Sequence, residues 1–433
     1  MRSIIIGTLL IFVTITPSAA ETRTLTLNEA LALAMESNRD IEKAREYATY
    51  VGGKYVEERS AALPQLSLNG SYAVSKDGSQ ALFAAMSQRQ TSSAIDLTLT
   101  QPLYTWGKVN AAIRAAGVGL KTAGEQLRLY QQAARREVVT AWYDILLARE
   151  LNRFARENVS QKQRLLDEAR KKFAAGVATD YDLLAAEVAL ENGRPDLIRT
   201  DNLIRVSSER LRFLLALPYA VDAVGSLDHD AALRTVPDDY DSALTIARAK
   251  RPELSDLRLR IGIYDELVTI AAAGDKPRLD LKGGGGWRWL SLNDSGPLGE
   301  TNGAAWNVGV YLTFPFFDGF KTSGQVIQAR SDLRTKQLEE LKLLDSIALE
   351  VRDAVNALRE ADEICRAISG TVRQAEKLLQ MAEKGFEYGV KIRLEVDDAQ
   401  LNLLQATVTL ARAERDYLVA RTNYRWAMGV LGE

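Results

Sequence analysis

The chain has 433 residues, 26% of them charged, with a formal net charge of −2, one cysteine and one histidine. A charge near zero gives no electrostatic basis for binding nucleic acid, and one cysteine excludes an internal disulfide. One histidine argues against a histidine-rich metal site and against Ser-His catalysis. We therefore expect no cofactor and no catalytic or metal site, and we interpret His229, in an acidic stretch, as a solvated loop residue.

The first twenty residues have the pattern of a secretory signal peptide. Arg2 precedes an apolar run from Ile4 to Ile15, and small residues end at Ala20. Such a segment is too short and wrongly flanked to be a membrane anchor. No later stretch has 18 apolar residues in succession, so the sequence predicts an exported protein without a transmembrane helix.

Four sequence features recur at a constant offset of 213 residues. They are the pairs Ala30 and Ala243, Pro64 and Pro277, Pro102 and Pro315, and the turn glycines Gly176 and Gly389. A shared offset is the signature of a duplicated unit. The sequence therefore predicts a tandem duplication, with a first repeat at 21–217, an acidic linker at 218–240 and a second repeat at 241–433.

Each repeat is predicted to contain a first helix, two strands, a very long helix, a glycine turn and a last helix. In the first repeat the expected bounds are 28–61, 65–75, 93–103, 108–174 and 179–216. In the second repeat they are 241–274, 278–289, 304–314, 320–387 and 392–430. Apolar and alanine residues at steps of three and four along the long helices are typical of coiled coils. At 1.5 Å per residue, each long helix would extend roughly 100 Å.

The strands alternate apolar and polar residues over about ten residues, the length that a tilted strand needs to cross a bilayer. Aromatic residues at their ends are typical of membrane interfaces; they are Trp106, Trp287, Trp289, Trp306 and Phe314. A soluble hairpin with one buried face would alternate in the same way. The glycines of 283–286 are interpreted as strand residues, because no helix follows them to form a phosphate loop.

Four strands cannot close a membrane barrel, since the smallest such barrels have about eight. Open sheet edges cannot lie in lipid. If the strands cross a membrane, several chains must therefore share one barrel.

Together, these features resemble the TolC-type outer membrane efflux factors of Gram-negative bacteria. The resemblance is carried by the signal peptide, the duplication and three motifs: P-x-L-x-L at 64–68 and 277–281, P-[LF]-[YF] followed by glycine at 102–107 and 315–319, and F-x-x-G-V at 173–177 and 386–390. It implies an α+β, mostly helical fold. Long helices would form a periplasmic α-barrel, and three chains, each giving four strands, would share one transmembrane β-barrel.

The resemblance also implies a function without catalysis. The protein would be the outer membrane channel of a tripartite efflux or type I secretion system, passively conducting cargo. Its partners would be two further copies, a periplasmic adaptor (membrane fusion) protein, an inner-membrane pump of the RND or ABC type, and outer membrane lipid. The alternative is a periplasmic or surface coiled-coil scaffold without a channel, which high salt would release from membranes. An enzyme is the least favoured class.

In this family the turn regions narrow the periplasmic end of the duct. Aligned on Gly176 and Gly389, the matching residues are the acids Asp182, Glu395 and Asp398, and the base Lys391, which would help hold the end closed. Arg393 and Asp397 are additional charges that the family pattern does not require.

A structural role competes with pore lining for two of these acids. Asp182 and Glu395 each lie about three residues into a helix, where a carboxylate caps free N–H groups, and both interpretations stay open. Asp398 lies beyond the first turn, and its counterpart 213 residues earlier is Ala185. Pore lining is therefore the favoured interpretation for Asp398.

Overall fold

The structure is a computed structural model that describes residues 23–76, 89–227, 239–292 and 300–432. The predicted signal peptide, residues 228–238 of the acidic linker with His229, and the segments 77–88 and 293–299 lie outside the described residues. Within the described ranges, no helix combines the length and the apolar character needed to cross a membrane.

The described elements follow the same order in both repeats. In the first half they are β1 (Arg23–Leu25), α1 (Leu27–Ser37), α2 (Arg39–Ser60), β2 (Gln65–Lys76), β3 (Arg89–Tyr104), α3 (Lys108–Ala174) and α4 (Asp180–Leu214). In the second half they are β4 (Val221–Ala223), α5 (Tyr240–Lys250), α6 (Pro252–Ala272), β5 (Arg278–Leu292), β6 (Glu300–Thr313), α7 (Lys321–Glu387) and α8 (Arg393–Ala427). Both α3 and α7 have 67 residues, and both α4 and α8 have 35.

Each segment expected as one first helix is divided into two. At Asn38 the backbone is extended (ψ 128°), its side-chain amide donates to the Leu214 carbonyl at 2.8 Å, and its Oδ1 caps the start of α2. At Arg251 the backbone is also extended because Pro252 follows, and a residue before proline is disfavoured in the α region. The short parallel pair β1–β4 was not predicted, since each strand has only three residues.

Contacts divide the chain into two compact units. Unit 1 holds the described residues of Met1–Ile41, Gln131–Tyr240 and Arg352–Glu433, and unit 2 holds those of Glu42–Tyr130 and Asp241–Val351. Each unit contains segments from both repeats. The duplicated halves are therefore not the compact bodies of the fold.

In unit 1 the helices are ordered α4–α3–α8–α7. The Asn152 amide of α3 donates to Asp201 of α4 at 2.9 Å, and Arg415 of α8 donates to Asp144 of α3, also at 2.9 Å. Val372 of α7 packs in one cluster with Ala406 of α8. Buried alanines along α3 allow this close approach; they include Ala134, Ala141 and Ala148.

In unit 2 the corresponding order is α2–α3–α6–α7. Val51 of α2 lies beside Gly119 of α3. Arg114 of α3 binds Glu266 of α6 through two hydrogen bonds of 2.7 Å. Arg258 of α6 binds Glu340 of α7 at 2.8 Å. In both units, α7 and a first-repeat helix are therefore the two outer members of the helical layer.

Unit 2 also carries one antiparallel sheet in the order β2-β3-β5-β6. Residues directly opposite each other across a ladder share a face, so the register separates two faces. One face is apolar and exposed; it carries Leu66, Leu68, Ile95, Leu97, Trp306, Val308 and Val310. The other face carries Ser67, Asn69, Asp96, Thr98, Lys282, Arg288 and Asn307.

The glycines of 283–286 lie inside β5, which confirms their interpretation as strand residues. Gly283 and Gly285 lie on the apolar face, and Gly284 and Gly286 on the polar face. Among the residues of this sheet, β2 and β6 each pair on one side only. Both edges therefore present unpaired backbone groups.

Candidate functional site

Two equivalent glycine turns join the long helices to the helices that follow. Gly176 and Gly389 have φ of +73° and +71°, a left-handed conformation that glycine adopts without strain. After Gly176, the Val177 amide donates back to the Lys172 carbonyl at 2.9 Å, and after Gly389 the Val390 amide donates to Gly385 at 2.8 Å. Each turn therefore ends its long helix with a Schellman-type cap.

Asp182 forms a complete capping box at the start of α4. Its carboxylate accepts from the Thr179 amide at 2.9 Å and from the Thr179 hydroxyl at 2.7 Å, and the Asp182 amide donates to that hydroxyl at 3.2 Å. These hydrogen bonds hold the pKa of Asp182 below its ordinary value. The structure thus gives this side chain a defined structural role.

Glu395 has a related role at the start of α8, with a different first partner. Lys391 donates to Oε1 of Glu395 at 2.6 Å, and the Ile392 amide donates to Oε2 at 3.1 Å. Lys391 is the larger cause of a lowered pKa for Glu395, and the Ile392 amide is the next. The stem of Lys391 lies directly over Gly385, where a Cβ would be 2.9 Å from its Cγ.

The remaining charges of this turn are one further pair and one exposed acid. Arg393 donates from Nε to Asp397 at 3.2 Å. Asp398 is exposed, and no cation of the described residues lies within ion-pair distance of it. The two bases, Lys391 and Arg393, are each matched by an acid four residues later. Asp398 therefore carries the one unmatched negative charge among the five ionised groups of 391–398.

The two caps predict an acid-sensitive turn. A lowered carboxylate pKa contributes stability above the ordinary values of 3.8 for Asp182 and 4.5 for Glu395, and this stability is lost as pH falls through the lowered values. We attach a spin label to Val177→Cys and expect its mobility to stay constant from neutral pH down to about pH 4. At lower pH the label should become more mobile, because the cap is then lost. With Thr179→Ala added, the label should already be mobile at pH 7. Equal mobility in both proteins at pH 7 would contradict the capping role. Labelling is selective because Cys365 is buried.

The predicted interface aromatics fall at two levels of the sheet. Trp106 follows β3, with its ring 5.2 Å from Tyr104, and Phe314 follows β6. Trp287 and Trp289 lie toward the other end of β5, whereas Trp306, which is 81% exposed, lies at the middle of β6 opposite Gly285. Eight residues separate Phe314 from Trp306, or roughly 26 Å at about 3.3 Å per residue. On a strand tilted by about 40°, this length corresponds to a height of roughly 20 Å, somewhat less than the apolar band of about 25 Å in membrane barrels.

An exposed apolar stripe on α4 was not predicted from the sequence. At 100° per residue its apolar members fall within about 80° of one another; they are Leu184, Val188, Ile198, Val206 and Phe213, each more than half exposed. Three exposed polar residues lie among them on the same side of the helix, namely Glu191, Asn202 and Glu209. Leu190, Gly193 and Leu211 lie on the opposite side of α4 and are buried. No other part of the described chain therefore covers the α4 stripe. A heptad count along α4 could have found it, because its positions follow steps of three and four.

Among the described residues, no group of acidic, histidine or cysteine side chains could hold a metal ion. Within the described residues, the candidate sites are instead the turn at Gly389, where one acid has no ion-pair partner, and two exposed apolar surfaces, namely the apolar sheet face and the α4 stripe.

Comparison with known proteins gives a family match over both halves. A family model described as outer membrane efflux protein matches residues 30–217 and 243–430, two segments offset by the same 213 residues. The chain is 26% identical over 383 residues to outer membrane protein TolC of Vibrio cholerae, covering 87% of this chain and 84% of that protein. It is 24% identical over 339 residues to the alkaline protease secretion protein AprF of Pseudomonas aeruginosa, covering 78% and 69%.

Solved structures share the fold. The CmeC outer membrane channel of Campylobacter jejuni superimposes with a TM-score of 0.80 at 18% identity, covering 94% of this chain and 87% of that chain. A structure of CusC superimposes with a TM-score of 0.78, also at 18% identity, covering 93% and 92%.

Proposed function

This chain belongs to the outer membrane efflux protein family, and from that premise we propose that three copies form one continuous duct with a charged constriction at its periplasmic end. The resemblance drawn from the motifs is confirmed by the family match over both repeats, and so is the mostly helical, tandemly repeated fold. The protein is an outer membrane exit duct. The number of copies, the constriction and the partner proteins are the finer points of the proposal.

The observation that carries the proposal is the four-stranded sheet with an exposed apolar face and two free edges. An apolar face of this kind suits lipid, and free edges in lipid must pair. Joining β6 of one copy to β2 of the next would satisfy both edges, and three copies would give twelve strands. The polar face, with Asp96, Lys282 and Arg288, would then line the lumen, and the two aromatic levels would lie at the two membrane interfaces.

The helical layers support the same arrangement. In unit 1 the α4 stripe lies on one outer helix, and exposed Leu378 and Met381 lie on α7, the other. Large apolar patches on a surface mark interaction sites. Pairing α4 of one copy with α7 of the next is a head-to-tail contact, which closes into a ring when the rotation between copies permits.

At the constriction, we assign Asp398 the main pore-lining role and keep Glu395, Asp182 and Lys391 as neighbours of the pore. Glu395 is matched by Lys391, and Asp182 is held by Thr179, whereas Asp398 has no such partner in the described part of the chain. Three copies of Asp398 would attract cations to the narrow end.

The cargo would be delivered from the inner membrane. We propose a periplasmic adaptor protein and an inner-membrane pump of the RND or ABC type as partners, with conduction passive and without a reaction of the duct's own. A relative named for alkaline protease secretion supports protein export, and one named as a probable efflux pump outer membrane protein supports a role in efflux. We therefore keep both protein export and efflux as roles of the proposed duct.

Ion selectivity in planar bilayers tests the constriction. One unit charge about 8 Å from an ion acts on it with about 0.5 kcal/mol in water. We therefore expect Asp398→Asn to lower the cation-to-anion permeability ratio roughly twofold or more. Glu395→Gln also removes one negative charge, and the size of its effect relative to that of Asp398→Asn reports which of the two side chains lies nearer the pore. The matched control is Asp397→Asn, which removes an acid paired with Arg393.

Two results would count against the proposal. If removing the charges of both Glu395 and Asp398 leaves conductance, cation preference and divalent block unchanged, the constriction lies elsewhere. If the purified protein contains a number of copies other than three by native mass spectrometry, the twelve-strand duct is wrong.

A further inference from the structure

A cavity of about 600 Å³ lies in unit 2 where the sheet meets the helices. The strand residues of its lining all come from the polar face, as the register shows; they are Gln65, Thr100, Pro102, Arg278 and Thr313. Leu66, Leu99 and Leu312, on the apolar face, do not line it. The cavity therefore opens on the side of the sheet that faces away from the exposed apolar surface.

A second cavity, of about 340 Å³, lies beside the first along α3. Glu58, Ala112 and Ile270 line both, so the two are contiguous. The floor of the second cavity is made of small residues of α3, and its walls come from α2 and α6. At its far end are Tyr47 and Tyr50, whose rings stack with centroids 6.2 Å apart. This end is suited to an apolar or aromatic group.

The charges of the lining are strongly unequal. Five cationic side chains line the two cavities, namely Lys54, Lys108, Arg260, Lys276 and Arg278, against one carboxylate, Glu58. Three of the five have ion-pair partners outside the lining: Arg260 with Asp256, Lys276 with Asp275 and Arg278 with Asp280.

The two remaining cations, Lys54 and Lys108, are the strongest candidates for binding an anion. Within the described residues no carboxylate lies at ion-pair distance from either of them. The guanidinium of Arg278 donates to Asp280 through Nε, which leaves its terminal NH₂ groups for a further acceptor. At least two side chains can therefore donate charge-assisted hydrogen bonds to an acidic group in the cavity.

From this arrangement we infer that the joined cavities form a binding site for an amphipathic anion in transit. Its acidic group would lie near Lys108 and Arg278 under the sheet, and its apolar body would lie over Ala112 toward Tyr47 and Tyr50. The placement of this site on the wall of the duct rests on the proposed function. The site itself rests on the lining of unit 2 alone.

Binding of naphthalene-1-sulfonate to the full chain in lipid nanodiscs, measured by calorimetry against empty nanodiscs, tests this inference. We expect saturable binding, and at least about tenfold weaker binding of the uncharged 1-naphthalenemethanol, because one charge-assisted hydrogen bond contributes about 1.5–3 kcal/mol. Lys108→Gln and Arg278→Gln should each weaken sulfonate binding by a similar factor. Ala112→Leu, which fills the shared floor, should weaken both ligands. Lys121→Gln is the matched control, since Lys121 is an exposed lysine of α3 outside the lining.

The inference is overturned if the sulfonate binds no more tightly than the alcohol, or if Lys108→Gln and Arg278→Gln bind like the unmodified protein. It is also overturned if the unmodified protein binds no sulfonate while Tyr50→Cys cross-links to a cysteine introduced on α7 of another copy, because the groove is then a contact between copies. Native mass spectrometry and conductance of the same preparations report separately on the trimeric duct. A folded trimer without binding therefore contradicts only this inference, and binding without a trimer contradicts only the duct.

Discussion

Gly286→Ala is expected to lower the yield of assembled protein strongly, although it adds only one methyl group. A Cβ at this position would overlap the Ile95 carbonyl oxygen and would lie 2.8 Å from the Asp96 Cα. Both are backbone atoms of β3, so neither can move without breaking the ladder that pairs Gly286 with Asp96. Overpacking of this kind costs about 1–3 kcal/mol or more. The yield of assembled protein in the outer membrane is the measurement.

The same strand provides matched controls of identical chemistry. Gly283 and Gly285 lie on the apolar face, where a Cβ would meet its nearest atoms at ordinary contact distances of 3.5 and 3.6 Å. Gly283→Ala and Gly285→Ala should therefore assemble like the unmodified protein, since glycine inside a strand has a conformational cost that alanine reduces. Gly284→Ala, 3.1 Å from the Leu97 carbonyl, should be intermediate. Equal yields from Gly285→Ala and Gly286→Ala would show that the close approach of β3 and β5 is wrong.

Charges placed in the α4 stripe should abolish assembly and leave each chain folded. Ile198 and Val206 are 67% and 57% exposed, so Ile198→Glu and Val206→Glu change side chains that are mostly uncovered within the chain. Between copies, each new carboxylate would be buried without a partner, at a cost of about 3–5 kcal/mol. Native mass spectrometry after mild extraction should then find single chains in place of the trimer.

The control for this prediction is a charge added to the flank of the same helix. Asn192 is exposed and lies about 80° from the centre of the stripe, so Asn192→Glu should assemble normally. Circular dichroism should report the same helix content for all three variants. A trimer that survives both stripe substitutions would mean that α4 faces solvent or the lumen in the assembled protein.

The acids of the Gly389 turn show where sequence reasoning stopped. Their spacing alone left Glu395 equally compatible with capping and with pore lining. In the structure Glu395 accepts from both Lys391 and the Ile392 amide, and Asp397 is bound by Arg393. Only when these partners are known is Asp398 recognised as the one acid of this turn without a basic partner in the described part of the chain. The sequence does contain the i to i+4 spacing of both pairs, which could have suggested them.

Local periodicity was enough to predict the order of helices and strands, because each element is specified by its own residues. The offset of 213 residues and the heptad steps of 108–174 are properties of short stretches, and the equal lengths of α3 and α7 agree with them. The same holds for the turn glycines, whose positive φ follows from the local chain alone.

Tertiary structure decided the features that depend on residues far apart in the chain. Asn38 ends α1 because its side chain reaches Leu214, and Gly286 must be glycine because β3 passes beside it. The cation-lined cavity joins residues of α2, α3, α6 and the sheet, which lie up to about 250 positions apart. Periodicity reports which side of an element is apolar, but it cannot report which neighbour that side meets. Only the packed chain determines this, since each such contact depends on both partners at once.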